Sequence, residues 1–400
     1  MVIRKGFKFK LRLKPHDDDN LLFRFTGCGR FVWNKALAMQ KERLDAGERC
    51  LSGIDLINLL PEWKKQFPFL KEAPSQVLQQ RLMDLDRALL EAFDKTNPKK
   101  FPTFKKKYRS SASFRYPQGF KVDGSTIFLP KLGWFRFFKS REIDGTPKNV
   151  TVSFRAGSWF ISIQTEQEVT DIVHPSSSAV GGDRGVYRTL TLSNGRYFDP
   201  VNSYRVAEKK LAKAQRKLAR MVKKSNNWQK QQRRIQKIHL HIANIRLNHL
   251  HQISHEVSKN HALIVLEDLD VKNMSASAKG TVESPGKNVE QKAGLNKAIL
   301  DQGWGELKRQ IIYKQLWRGG QVIFVPPAYS SQECSQCGHT SNENRPSQEL
   351  FYCKKCGYTS NADENAAKVI LSRAGQCPGS LVVSNGAVTP SQTGTNKVVA

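Results

Sequence analysis

Two sets of residues have the types and spacing to do chemistry. The first is Cys334-x-x-Cys337 and Cys353-x-x-Cys356, two pairs separated by fifteen residues. A C-x-x-C turn aims two thiolates at one ion, and zinc takes four such ligands in a tetrahedron. Gly338 and Gly357 follow the two pairs, as the knuckles of a zinc ribbon require. Four thiolates leave no open coordination position, so the predicted zinc is structural. A redox C-x-x-C would need no second copy. His339 reads as a surface residue. Cys28, Cys50 and Cys377 are isolated, and a total of seven argues against a disulfide framework.

The second set is Asp183, Glu267 and Asp363. Singly, each has a plain reading: a turn aspartate, a strand-end charge and a helix cap. Together they are carboxylates at the ends of different elements, and carboxylates brought together repel unless cations sit between them. A pair of Mg²⁺ ions in such a cluster activates water and stabilises the leaving oxygen of a phosphodiester.

The elements around them have to do the positioning. Ala179–Leu192 reads as a strand, a glycine-flanked kink holding Asp183, and a second strand. Ser193-Asn194-Gly195-Arg196 is a hairpin turn. Ala262-Leu263-Ile264-Val265-Leu266 is a buried central strand ending at Glu267. Leu300, Trp304, Leu307 and Ile311 mark a helix, Gln321–Val325 a strand, and Ala362–Leu371 a final helix that Asp363 opens. Strand, hairpin, strand, helices, strand, helix is the order of an RNase H-like nuclease. The tail, residues 374–400, is rich in Gly, Ser, Thr, Asn and Pro and reads as disordered.

The first half differs. Phe7–Lys14 alternates strictly, with Lys8, Lys10, Arg12 and Lys14 on one face and apolar residues on the other. It is either a phosphate-facing strand or an edge strand guarded by lysines. Residues 17–97 are mostly helical, with a stripe of Leu78, Leu82, Leu85, Leu89 and Phe93. The 98–109 loop interleaves Lys105, Lys106 and Lys107 with aromatics, suiting phosphates and bases. Period two returns from Phe120 to Glu166, so a small β-domain carries a helical insertion.

Charge names the partner class. The 400 residues hold 65 Lys+Arg against 35 Asp+Glu, a net +30. A polyanion is the leading partner, because binding it releases counterions. From Arg205 to Lys259 there are fifteen basic and two acidic residues on two helical stripes joined at Ser225-Asn226-Asn227. A solvated helix mixes signs to form i,i+4 pairs, and this hairpin does not. Lys209, Lys213, Arg216, Arg220, Arg233 and Arg234 are its candidate nucleic-acid contacts. No run approaches the ~20 apolar residues of a membrane span. No secretory signal is read, so a cytoplasmic protein is expected.

With these residues in view, the chain resembles the TnpB (OrfB) proteins of insertion sequences and is similar to compact type V CRISPR effectors. Arg30-Phe31-Val32-Trp33-Asn34, Phe101-Pro102-Thr103-Phe104-Lys105 and Leu129-Pro130-Lys131-Leu132-Gly133 carry the likeness in the first half. Gly182-Asp183-Arg184-Gly185, Leu266-Glu267-Asp268-Leu269, Gly303-Trp304-Gly305, Ser330-Ser331…Cys334-x-x-Cys337-Gly338 and Asp363-Glu364-Asn365-Ala366-Ala367 carry it in the second.

The resemblance implies a multidomain α/β protein. Residues 1–16 and 118–173 would form a wedge β-domain, and residues 17–117 a helical recognition insertion. An RNase H-like (RuvC) nuclease core would span 178–328, with the basic hairpin at 204–258. The inserted zinc ribbon would occupy 329–360 and the last RuvC helix 361–373. It implies an RNA-guided, Mg²⁺-dependent DNA endonuclease with a guide RNA drawn from the transposon end; the oligomeric state is open, with one chain per RNA as the default expectation. Its double-stranded DNA target would lie beside a transposon-adjacent motif. Asp183, Glu267 and Asp363 match the family's catalytic carboxylates, and the four cysteines its zinc ligands. Two departures stand out. Asn361 and Ala362 replace an acidic residue and an arginine common before the last Asp, and Gly182 replaces a small apolar residue before the first. The rival readings are a guide-dependent DNA-binding regulator without nuclease activity, a direct DDE-type transposase, and a zinc-ribbon binder with no enzyme activity.

Overall fold

The structure is a computed structural model that describes residues 1–13, 17–96, 99–107, 112–170, 172–374, 381–384 and 387–390. Lys14 and Cys377 lie outside the described residues. The chain forms two compact units, Val2–Val169 and Thr170–Ala400.

In the first unit, β1 (Val2–Arg12) leads into four helices: α1 (Asp17–Asp45), α2 (Gly53–Asn58), α3 (Leu60–Gln66) and α4 (Ser75–Phe93). Six strands follow: β2 (Ser113–Tyr116), β3 (Lys121–Asp123), β4 (Thr126–Leu129), β5 (Gly133–Phe137), β6 (Thr146–Arg155) and β7 (Ser158–Glu168). The sheet order is β2-β6-β7-β1-β5-β4-β3, antiparallel throughout. The alternation in β1 sends Phe7, Phe9 and Leu11 inward and leaves Lys8, Lys10 and Arg12 exposed. β1 lies between β7 and β5, so its cations do not guard an edge, and that alternative is discarded.

The helices precede β2 in the chain but do not pack apart from the sheet. One apolar core joins Phe9 and Leu11 to Phe25 and Val32 of α1 and to Leu78, Leu82 and Leu85 of α4. The sheet resumes at Ser113 rather than near residue 118, because Phe114 and Tyr116 alternate into that core. Phe93 departs from the expected stripe: it is 52% exposed and meets the Phe101 ring edge-on.

The second unit opens with β8 (Ala179–Asp183), β9 (Leu190–Leu192) and β10 (Tyr197–Phe198). Next come α5 (Ser203–Ala219), α6 (Asn226–Asn260), β11 (Leu263–Glu267) and the short α7 (Val271–Met274). α8 (Val289–Gln302), α9 (Trp304–Arg318), β12 (Gln321–Val325), β13 (Leu350–Tyr352), β14 (Thr359–Asn361) and α10 (Ala362–Ser372) complete its described body. In the main sheet β8, β11 and β12 run parallel, and β9 and β10 fold back antiparallel outside β8. The parallel strands are buried on both faces, as their continuous apolar runs require.

The expectation of a disordered tail is corrected at two segments. β15 (Leu381–Ser384) pairs antiparallel with β12, and β16 (Ala387–Pro390) pairs with β15. Leu381-Val382-Val383 has strand propensity, and β12 would otherwise present an unpaired edge. The rest of the tail beyond Ala374 lies outside the described residues.

α5 and α6 form the expected hairpin, with Leu211 and Ala214 packed on Ile235, Ile238 and Ile242. Its base is clamped by the buried Asp301 of α8. That carboxylate accepts from the Tyr204 N–H (2.9 Å) and the Ser203 hydroxyl (3.1 Å), capping α5. It also pairs with the Arg246 guanidinium of α6 at 2.7 Å. Among the described residues no helix is long and apolar enough to cross a membrane.

Candidate active site and metal centre

The four cysteines converge, their sulfur atoms all within 4.8 Å of one another. Cys334 and Cys356 sulfurs are 3.7 Å apart, and Cys337 and Cys353 sulfurs 3.6 Å. A disulfide would need about 2 Å. A zinc tetrahedron with 2.3 Å bonds spaces its sulfurs about 3.8 Å apart, so the donor set fits that ion. The two knuckles are built alike. Cys334 N–H donates to His339 C=O and Gly338 N–H to Cys334 C=O, and Cys353–Tyr358 and Gly357–Cys353 repeat the pattern. Gly338 and Gly357 both take φ near +70°, the left-handed turn that frees the second thiolate to face the ion. Burial works to raise the Cys353 thiol, but the N–H groups of Cys356 and Lys355 outweigh it and bring it down to about 6.

The carboxylates sit where the main sheet's parallel strands end. Leu266 is in register with Gly182, which sets Glu267 beside Asp183 on one face of the sheet. α10 crosses that face and brings Asp363 in its first turn. The crossing depends on Gly181: a Cβ there would come within 2.1 Å of the Ala367 carbonyl on the helix. A Cβ on Gly182 would instead meet Leu266 and Leu190. These glycines therefore admit a helix and apolar side chains.

Burial, then the charges of Glu267 and Asp363, pushes the Asp183 carboxyl up to about 7, against the pull of Arg345 and Arg184. Burial likewise raises Glu267, opposed by the Ser330 hydroxyl, Arg184 and Arg373. Ser330 donates to Glu267 Oε1 at 2.5 Å, and the Arg184 guanidinium donates to the Glu267 backbone carbonyl. Arg345, from the loop between the two cysteine pairs, reaches Asp363 Oδ1 at 3.2 Å. Asn361 caps α10, its Oδ1 accepting from the N–H groups of Asp363 (3.1 Å) and Glu364 (3.3 Å). Clustered hard oxygen donors, among which the charges of Glu267 and Asp363 raise Asp183, are the donor set a divalent cation such as Mg²⁺ relieves. The cluster is looser than the thiolate cage, which is the metal-ligand group that close among the described residues.

Two near neighbours are committed elsewhere. Asp268 pairs with Lys308 at 2.6 Å, and Glu364 with Lys368 at 2.8 Å. Ser330, Arg184 and Arg345 were not singled out from sequence. The first two lie in blocks that carry the family likeness, whereas Arg345 sits in a polar loop with no local signal.

The basic candidates divide. Lys8, Lys10 and Arg12 share the exposed sheet face with aromatics, Lys8 lying 4.9 Å from the Phe160 ring centre and Arg12 5.0 Å from that of Phe138. Lys106, Lys107, Lys209, Lys213, Arg216, Arg220, Arg233 and Arg234 are exposed. Lys105 is different. Its backbone is strapped to Asn34 of α1 by two hydrogen bonds, and its ammonium lies 3.3 Å from the Trp33 ring centre. Burial, with Arg81 nearby, lowers that ammonium to about 8, so Lys105 serves the fold first.

Comparison with known proteins bears on the whole chain. The OrfB_IS605 family profile, described as "Probable transposase", matches residues 162–278, and the "Cas12f1-like, TNB domain" profile matches 304–370. A profile described as "Helix-turn-helix domain" matches residues 1–49, although that segment folds as one strand and one continuous helix. A protein of Escherichia coli (strain K12) named "Putative RNA-guided DNA endonuclease InsQ" is 55% identical over 92% of each chain. One of Streptomyces pristinaespiralis, named "Putative RNA-guided DNA endonuclease", is 32% identical over 91% of this chain and 88% of its own. A solved Cas12f1–sgRNA–target DNA complex matches at 16% identity and a TM-score of 0.35, covering 93% of this chain and all of that one. The identity to these two relatives over about nine-tenths of the chain, with the profile matches, makes this chain a member of the OrfB_IS605 family of insertion-sequence proteins.

Proposed function

We propose that this protein is an RNA-guided DNA endonuclease that hydrolyses phosphodiester bonds at Asp183, Glu267 and Asp363. The observation that carries the reading is the convergence of three carboxylates, 84 and 96 residues apart in the chain, on one end of one sheet. The strand order β10-β9-β8-β11-β12, with the last three parallel, supports an RNase H-like (RuvC) core. The names of the two relatives support the guide.

Two Mg²⁺ ions held by the cluster would supply an activated water and stabilise the departing oxygen. The chain's own groups do the rest. Ser330 and Arg184 fix Glu267 at the end of β11, so that its carboxylate cannot swing away. Arg345 sets a guanidinium at Asp363, and Asn361 caps the helix that carries Asp363. All three carboxylates are retained, so the departures at Asn361, Ala362 and Gly182 bear on rate and not on reaction type. Zinc at Cys334, Cys337, Cys353 and Cys356 would hold the ribbon from which Arg345 projects. The exposed cations of β1 and of the α5–α6 hairpin suit two polyanions, a guide RNA from the transposon end and a DNA target. Residues 2–169 take the place of the wedge and recognition parts.

The test is Asp183→Ala in the protein purified with its bound RNA. Cleavage should fall by roughly a thousandfold or more, the scale of losing several kcal/mol of metal-borne stabilisation. The same RNA should copurify and should map to the flank of the protein's own gene. Retained cleavage would overturn the assigned site, and no discrete RNA would overturn the guide. The intact carboxylates speak against a regulator without nuclease activity. A strand-transfer assay on transposon ends without a guide separates the DDE-type reading.

A further inference from the structure

The hairpin outside β8 carries a feature that neither the cut nor the guide accounts for. Sheet register runs in one row from Asp183 across Thr191 to Tyr197. Residues opposed in an antiparallel ladder point to the same face, so Tyr197 shares its face with Asp183 and with α10. At about 4.8 Å per strand, its Cα stands about 10 Å from that of Asp183. Thr191, between them, is buried, whereas the Tyr197 ring is 48% exposed.

The loop that leaves Asp183 returns over this ring. Gly185 N–H donates to the Arg188 carbonyl and closes the turn, and the Arg188 guanidinium lies 3.8 Å from the Tyr197 ring centre. Tyr187, next to it, is 59% exposed. One position earlier in the chain, Arg196 pairs with Glu256 and approaches the Phe198 ring. An edge strand that needs only protection is blunted by charge or proline, not by an exposed ring with a cation laid on it. A ring beside a guanidinium is what a single nucleic-acid strand uses, its base on the ring and its phosphate at the cation.

We propose that Tyr197 and Arg188 form a stacking platform for a nucleotide next to the scissile phosphate of a single DNA strand. This rests on the nuclease reading of the carboxylate cluster and adds the grip that presents the strand to it. Stacking is indifferent to base identity, since every base has a π-face. That suits an enzyme whose sequence choice is made elsewhere by pairing.

The experiment uses the full-length, RNA-bound protein and a single-stranded oligodeoxynucleotide with 2-aminopurine at successive positions, in Ca²⁺ for binding and Mg²⁺ for cleavage. Stacking should quench 2-aminopurine at one or two adjacent positions. The quench should vanish in Tyr197→Ala and persist in Tyr197→Phe and Tyr197→Trp. KM for strand cleavage should rise about tenfold in Tyr197→Ala, the scale of losing one stacked base, with kcat little changed. Arg188→Gln, which leaves the ring in place, should give a smaller rise. In Asp183→Ala the quench should survive while cleavage disappears. Unchanged quench and KM in both Tyr197→Ala and Arg188→Gln would overturn the platform and leave the cut site standing. Cleavage by Asp183→Ala would instead strike at the cut site.

Discussion

The thiolate centre and the carboxylate cluster make opposite use of the chain. All four thiolates come from a segment of 23 residues, and two copies of one turn bring them within 4.8 Å of each other. The three carboxylates span 181 residues and arrive on two strand ends and a helix start. The first site is closed and needs little from its surroundings. The second is looser, and groups that are not ligands hold it: Ser330 on Glu267, Arg184 behind Glu267, Arg345 on Asp363. A site built from one loop can be made stable alone. A site built from topology is costly to the fold, because its charges are collected before any cation neutralises them.

The sharpest way to break this contrast is selective metal removal. Brief EDTA treatment should strip the open carboxylate cluster and abolish cleavage while the closed thiolate cage keeps its ion. Elemental analysis should still find one zinc per chain, and Mg²⁺ alone should restore cutting. Recovery that requires zinc would reverse the division of labour.

The next effect is on stability. Asp183 has a folded pKa of about 7 against an ordinary 3.8. An acid with a raised folded pKa binds its proton more tightly in the folded chain. The cost of ionising it is therefore absent below pH 4, grows from there to pH 7, and is constant above. At about 1.4 kcal/mol per pH unit it reaches up to about 4 kcal/mol. Asp183→Asn should raise the melting temperature of the metal-free protein above pH 7, and the gain should fade toward pH 4. The variant should lose the stabilisation that Mg²⁺ gives the parent. A melting temperature equal to the parent's at pH 8 would show that the cluster stores no such cost.

The smallest effect belongs to the link between the two centres. Arg345→Ala should lower cleavage ten- to a hundredfold, the usual cost of losing a group that orients a ligand. Arg345→Lys should recover part of the loss, and zinc content should not change. A loss of zinc in Arg345→Ala would mean that the residue serves the ribbon and not Asp363.

How much of this could be read beforehand follows from the same contrast. The cysteine quartet is legible because its geometry is local. The carboxylates are legible as strand-end and helix-start residues, but the hand-shake between α10 and β8 through Gly181 depends on a packing distance that no spacing encodes. The alternation in β1 identifies which side is wet and not which strands lie beside it, so its central place in the sheet emerges only with the fold. Arg345 and Arg188 belong to loops whose direction is set by contacts distant in sequence, so the meeting of Arg188 with Tyr197 of β10 is not legible from spacing. The tail shows composition misleading: a Gly/Ser/Thr-rich stretch hides Leu381-Val382-Val383, which a waiting edge recruits.

The Asp301 clamp has a mechanical consequence. α6 has 35 residues and is about 50 Å long, and its last turn runs almost directly into β11, which carries Glu267. Bolted at its base by Asp301 and Arg246, 20 residues from the tip at Asn226, the hairpin is a lever about 30 Å long pivoted at that clamp. A tilt of about 5° moves the tip of such an arm by roughly 3 Å and its pivot hardly at all. The basic arm can thus comply with the uneven surface of a folded polyanion, and the strand that holds the carboxylate does not feel the movement.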